Sequence, residues 1–398
     1  MQIVDNRGLL LRVRNPEKIT AAIPKSKQLP NNYVAVRWGV DESRVLRNLN
    51  IRNVPSPILG KYKWTGKYQP FEHQKTTSSF LTLNSRAFCF NEQGTGKTGS
   101  AIWASDFLLR EGVIKRVLII CPLSIMDSAW RADMFNFAMH RTVDIAHGSK
   151  KKRQAIINSD TEYVIINYDG VEVVKEEIIN GGFDLIIVDE ATHYKNAQSK
   201  RWKVLASIIQ PHTWLWMMTG TPAAQSPVDA FINPKGVPKF FGAFRDMVMY
   251  KITQFKWVPK DNASDTVFNA LQPAIRFTKK ECLDLPDMTY VKRKVELTAQ
   301  QNKYYKLLRE QMIAVASGEQ ITAANAAVNM NKLLQISCGA VYSDTGETLE
   351  FDIKNRYKVL REVIDESSQK VLVFVPFKHV IGVLADKLTA DNITNGAI

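Results

Sequence analysis

The chain has 398 residues, 45% of them apolar and 23% charged, enough for two or three domains that each bury a core. No uncharged run approaches the ~20 residues needed to cross a bilayer, and arginines interrupt the opening MQIVDNRGLLLRVRNPEK, so this stretch is not expected to be a signal peptide. The net charge is +14, and residues 1–67 supply +9 of it from thirteen Lys/Arg against four Asp/Glu, a footprint expected of a polyanion partner. Cys89, Cys121, Cys282 and Cys338 show no paired spacing, so reduced thiols in a cytoplasmic protein without a structural metal are expected.

Residues 1–66 read as a small mixed α/β module. LLLRVR and YVAVRW have strand composition, and DESRVLRNL reads as a helix with Asp41 as its N-cap. VPSPI then breaks the chain. In GKYKWTGKYQPF, Lys61, Lys63 and Lys67 interleave with Tyr62, Trp64, Tyr68 and Phe71, which suits either stacking on nucleic acid or packing against the following domain.

From residue 67 short apolar runs alternate with helical stretches. AFCFN (87–91), VLIIC (117–121), YVIIN (163–167), DLIIV (184–188) and WLWMM (214–218) are continuous rather than alternating, as in a parallel sheet covered on both faces. The expectation is a doubly wound α/β domain with its ligand beyond the carboxyl ends of the strands. Residues 296–335 read as two long helices. KVLVFVPF (370–377) reads as a strand, followed by the helix KHVIGVLADKLTA, the opening of a second α/β unit. The resulting division is 1–66, 67–288 and 289–398.

Three polar segments follow strands. Asn91-Glu92-Gln93-Gly94-Thr95-Gly96-Lys97-Thr98 fits the phosphate-binding pattern GxxxxGK[ST], with Asn91 in place of the first glycine. Gly94 and Gly96 allow backbone N–H groups to face phosphates, with Gln93 and Thr95 in the same loop. Lys97 suits the β/γ-phosphates, and the Thr98 hydroxyl suits Mg²⁺. Asp189-Glu190 follows DLIIV, with Asp189 suited to Mg²⁺ and Glu190 to deprotonating an attacking water. Thr219-Gly220-Thr221-Pro222 ends the next strand and, after the other two, reads as an element that senses the γ-phosphate.

With these motifs in this order, residues 68–390 resemble the superfamily 2 helicases, and among them the SWI/SNF-type DNA translocases. Gln74 in PFEHQ matches the family's adenine-reading glutamine. CPLSIMDSAW (121–130), with Pro122, Ser124 and Trp130 in register, INYDG (166–170) and DEATHYKN (189–196), which shares Lys195 and Asn196, match further motifs. LQPAIRFTKKECLDLPDM (271–288) resembles the segment joining the family's two lobes, and KLLQISCGAVY and KVLVFVPF resemble the start of the second. The compact form resembles bacteriophage versions. Thr192 and Asn91 depart from the usual His and Asp, the stretch after TGTP is shorter than in relatives, and the sequence stops before the late motifs that supply arginines to the γ-phosphate.

The resemblance implies RecA-like lobes that sandwich ATP and Mg²⁺, with sequence-independent binding of double-stranded or branched DNA. It implies nucleic-acid contacts at Pro122, Ser124, Asn167 and Tyr168. The expected activity is an ATP-driven DNA translocase or helicase acting on forks or branched DNA in replication or recombination. A restriction-system motor, an RNA helicase, and a DNA- and ATP-binding module without turnover are the alternatives.

Overall fold

The computed structural model describes residues 1–194, 199–221, 241–254, 256–284, 286, 289–318, 323–342 and 348–397. The chain divides into two compact units, Met1–Leu285 and Pro286–Ile398.

The first unit opens with an antiparallel sheet of β1 (Gln2–Val4), β2 (Gly8–Arg12), β3 (Lys27–Leu29) and β4 (Tyr33–Arg37), in the order β1-β2-β4-β3. Its two hairpins turn at Asp5-Asn6 and Asn31-Asn32, all four with positive φ. Asp and Asn tolerate that conformation, and two such residues match the twist of flanking strands. Leu9, Leu11, Val34 and Val36 alternate inward to meet Ile19, Trp38 and Leu46. The helix expected after YVAVRW runs Val40–Asn48, but Gly39 is its N-cap. Asp41 lies inside the first turn, where its charge favours the helix dipole, 3.7 Å from Arg44.

The main sheet takes β5 (Arg86–Cys89), β6 (Val117–Cys121), β7 (Val143–Ile145), β8 (Tyr163–Asn167), β9 (Leu185–Val188) and β10 (Trp214–Met218). After a small antiparallel pair, β11 (Met249–Lys251) with β12 (Trp257–Pro259), the chain adds β13 (Ala274–Ile275). The order is β13-β5-β10-β9-β6-β8-β7, and every pairing is parallel. Along β6, Leu118 and Ile120 face one buried core while Val117, Ile119 and Cys121 face another. Both faces are therefore dry, which is why the runs are continuously apolar. Val40, Ile58 and Tyr62 belong to the second of these cores, and Ser56 bonds Thr82 at 2.6 Å, so the amino-terminal segment packs directly on the main sheet.

In the second unit the helices Ala299–Gly318 and Ala323–Cys338 precede a hairpin of β14 (Ala340–Tyr342) and β15 (Thr348–Glu350), then the helices Lys354–Glu366 and Lys378–Ala390. Cys338, Ile353, Val380 and Leu384 form its small core. The strand expected over 370–377 is absent. The segment has no ladder partner among the described residues, and Leu372 and Phe374 are 71% and 91% exposed. An apolar run becomes a strand only where a neighbouring edge accepts its backbone groups.

Candidate nucleotide site

β5 delivers the chain into the loop 91–96, and the 14-residue helix Lys97–Arg110 begins directly after it. Gly94 and Gly96 have φ of 83° and 77°. The left-handed backbone at Gly96 disfavours any side chain, and a Cβ there would also displace the end of the Gln74 side chain, 2.0 Å away at Nε2. Asn91, where the pattern has glycine, is 1% exposed and serves as a bracket. Its Nδ2 donates to Thr77 Oγ1 at 2.8 Å, and its Oδ1 accepts from Phe277 N at 3.0 Å.

Around the loop, His73 Nε2 and Gln74 Nε2 lie 2.9 and 3.4 Å from the Thr95 carbonyl. Gln74 Oε1 accepts from Phe71 N at 2.9 Å. Thr95 Oγ1 and Lys97 Nζ both donate to the Glu92 carbonyl, at 2.7 and 3.3 Å. Gln93 is exposed at the outer bend, and Thr98 is half-buried in the helix's first turn. The Glu92 carboxylate accepts from Lys279 N at 2.9 Å and lies 3.7 Å from Arg276. The segment 276–279 is thus fastened along the phosphate loop, a relationship between residues some 185 positions apart that no local pattern signals.

Asp189 closes β9 at 7% exposure. Its Oδ2 accepts from Trp130 Nε1 at 2.9 Å and its Oδ1 from Glu190 N at 3.0 Å. Burial raises its pKa, opposed by those two donors and by the charge of Lys97. Trp130 reaches it from the widened π-helical turn Met126–Arg131 that follows β6. Glu190 sits at φ 47°, an uncommon conformation for a residue with a side chain, and its Oε2 accepts from Thr219 Oγ1 at 3.2 Å. Tyr168 donates to the Asp189 carbonyl at 2.7 Å.

Thr219 is fully buried, its N–H bonded to the Cys89 carbonyl at 3.0 Å and its Oγ1 to Thr221 N at 3.2 Å. A Cβ on Gly220 would come within 3.2 Å of Gln93 N, so the turn lies directly against the phosphate loop. Because β5, β10 and β9 are neighbours, the three motifs share one edge of the sheet, beyond the strands' carboxyl ends. A buried carboxylate and a hydroxyl on a helix's first turn are hard oxygen donors, and Asp189 and Thr98 fit Mg²⁺.

The remaining candidates are more dispersed. Pro122 and Ser124 follow β6 at the same edge, Pro122 half-buried and Ser124 exposed. Asn167 Oδ1 accepts from Arg153 Nη1 at 3.0 Å, and Tyr168 is buried beneath the acidic loop. Lys63 is exposed and Lys61 half-buried, whereas Trp64 lies edge-on to Tyr62 and Trp103 at 5.4 and 5.7 Å. Lys195, Asn196 and Pro222 lie outside the described residues. Sequence reading assigned no role to Glu92 or Lys279. Trp130 it carried only as a motif match; its indole opposite an acidic box was the available signal.

A model of the SNF2-related domain matches residues 61–340. The chain is 25% identical over 337 residues to the putative protein p41 of Acyrthosiphon pisum secondary endosymbiont phage 1, covering 78% of this chain and 73% of that one. It is 24% identical over 346 residues to the CHD3-type chromatin-remodeling factor PICKLE of Arabidopsis thaliana, covering 75% of this chain but 24% of that protein. To the DNA annealing helicase and endonuclease ZRANB3 of Homo sapiens it is 25% identical over 171 residues, 42% of this chain and 16% of that one. Among solved structures, the Sulfolobus solfataricus SWI2/SNF2 ATPase core in complex with dsDNA superposes with a TM-score of 0.49 at 21% identity, covering 83% and 71% of the two chains. The matched domain takes in the phosphate loop, the acidic pair and the Thr219–Thr221 turn, and the chain belongs to the SNF2-related domain family.

Proposed function

We propose that the chain is the motor of a DNA translocase or helicase that hydrolyses ATP in response to DNA. The observation that carries this is the convergence of Gly94–Thr98, Asp189–Glu190 and Thr219–Thr221 on adjacent strands β5, β9 and β10. Backbone N–H groups of the loop and the ammonium of Lys97 bind the phosphates, and Gln74 reads the adenine. Thr98 and Asp189 hold Mg²⁺, which when bound neutralises charge on the phosphate oxygens. Glu190 takes the proton of the attacking water, and its hydrogen bond to Thr219 holds that carboxylate in place.

Residues 1–66 act as a DNA-engaging module, 67–288 as the nucleotide lobe and 289–398 as linker helices with part of a second lobe. Lys61, Lys63 and the exposed Ser124 are assigned to the DNA backbone together with Pro122 and Asn167, and Tyr168 supports the acidic loop from below. The basic amino-terminal segment and the family's DNA-directed members support a DNA substrate, which we take to be forked or branched, handled in the cytoplasm of the cell or viral host. Lys97→Ala abolishes DNA-stimulated hydrolysis, by about 10²-fold or more, while DNA binding persists. Hydrolysis retained in that variant overturns the assignment. Comparing duplex DNA, single-stranded DNA and RNA as stimulators separates the translocase from an RNA helicase.

A further inference from the structure

Arg86 opens β5, so it lies at the amino edge of the main sheet, one strand length from the phosphate loop at the other end. There a cleft of about 420 Å³ is lined by Arg86, Asn84 and Ser85 from the entrance to β5 and by Arg44, Arg47 and Asn48 from the helix Val40–Asn48. None of the described residues lining it is acidic.

Arg44 and Arg47 keep donors for an anion, and Arg86 adds a positive charge from deeper in the fold. Arg86 donates Nη2 to the Gln210 carbonyl at 3.0 Å, while its Nη1 is buried with no hydrogen-bond partner. Burial lowers its pKa, the mark of a cation without a counter-charge. Arg44 lies over the Trp214 ring at 4.6 Å, and its only ion pair among the described residues is a 3.7 Å contact to the exposed Asp41. Arg47, one turn further along the same helix face, is exposed and has no side-chain partner among the described residues. Three guanidinium groups gathered with only the exposed Asp41 carboxylate at their margin repel one another, an anion between them relieves that repulsion, and their forked donors match phosphate oxygens. Among the described residues the lining is polar apart from Leu83 and Pro273, with no aromatic side chain for a base to stack on.

We propose that this cleft binds the phosphodiester backbone of a nucleic-acid strand, a second contact on the edge of the sheet opposite the nucleotide site. It makes the helix Val40–Asn48 and the start of β5 the place where the basic amino-terminal segment meets DNA. The proposal rests on the reading of the chain as a DNA motor only for the identity of the polyanion.

The test uses the full chain, nucleotide-free, titrated with labelled duplex and forked DNA at several salt concentrations. The R44Q/R47Q double variant removes two charges from the helix Val40–Asn48, and a thermal melt confirms its fold; R86Q is the second variant. The double variant is expected to lose about tenfold in affinity, with a salt slope shallower by about two, near 0.9 per phosphate contact released. Its DNA-independent ATP hydrolysis stays at the wild-type level. Affinity and slope equal to wild type in both folded variants overturn the cleft while leaving the motor reading intact. Wild-type chain that binds no nucleic acid overturns both. If millimolar inorganic phosphate raises the wild-type melting temperature, but not that of the double variant, and DNA affinity is the same in the two chains, the cleft is a small-anion site and the nucleic-acid assignment fails.

Discussion

Trp130 donates its indole N–H to Asp189 Oδ2 at 2.9 Å, tying the turn after β6 to the acidic end of β9. Both side chains are buried, so no water replaces the bond if it is lost. The donor favours the charged form of a carboxylate that burial disfavours, and it fixes which way that carboxylate points.

Trp130→Phe keeps an aromatic ring but deletes the donor. Outer hydrogen bonds of this kind are worth about 10- to 100-fold in metal affinity or activity. The Mg²⁺ concentration that half-saturates ATP hydrolysis should therefore rise by at least tenfold, with much of kcat recovered at high Mg²⁺. DNA affinity measured without nucleotide should not change. A Mg²⁺ dependence identical to wild type would show that Asp189 is positioned by its backbone alone.

Alkaline pH should unfold the chain early. Burial pushes the Cys89 thiol up to about 11 from an ordinary 9.0, and raises Cys121 and the hydroxyls of Tyr62, Tyr163 and Tyr168 further still. These groups are neutral in the folded chain and ionise more readily when unfolded. The stability they contribute is thus complete below pH 9, begins to fall as pH passes 9 for the thiols and 10 for the tyrosines, and goes on falling above 11. The urea midpoint should fall steadily from pH 8.5 to 10.5. Tyrosinate absorbance should include a cooperative step that coincides with unfolding, and a fully gradual rise in the folded protein would show that these rings reach water.

What the sequence revealed tracks how local each cause is. β6, β8, β9 and β10 were legible because burial on both faces demands apolar residues throughout, and the phosphate loop because its glycines answer a backbone requirement. β7 and β13 were not, since strands of three and two residues carry almost no periodicity and β7 has Asp144 at its centre. The run at 370–377 has strand composition, but pairing is decided by a neighbour that composition does not contain. Asn91 read as a departure from the glycine pattern, yet it bonds Phe277, 186 residues away. The arginine cleft had no sequence signature at all, because residues 44–48 and 84–86 meet only through the fold.

The amino-terminal segment is fastened to the main sheet by a buried ionic network. Asp106, in the helix Lys97–Arg110, accepts from Arg141 Nε at 2.6 Å and from the Tyr62 hydroxyl, with His140 Nε2 3.0 Å away. Arg141 also donates to Glu162 at 2.6 Å. The Asp106 side chain is 2% exposed and that of Arg141 16%, so solvent screens the pair little. Arg141→Ala leaves the Asp106 carboxylate buried without its main counter-charge and should destabilise the first unit by about 3–5 kcal/mol in urea titration. Asp106→Asn alone should also destabilise it, because the negative charge opposite Arg141 is gone and one amide oxygen is left where Arg141 and Tyr62 each bonded a separate carboxylate oxygen. Adding Asp106→Asn to Arg141→Ala should cost less than the sum of the single changes, since the stranded charge is gone. Strict additivity would show that the two side chains contribute independently, and that the amino-terminal segment is held by the apolar contacts of Ile58, Tyr62 and Trp64 instead.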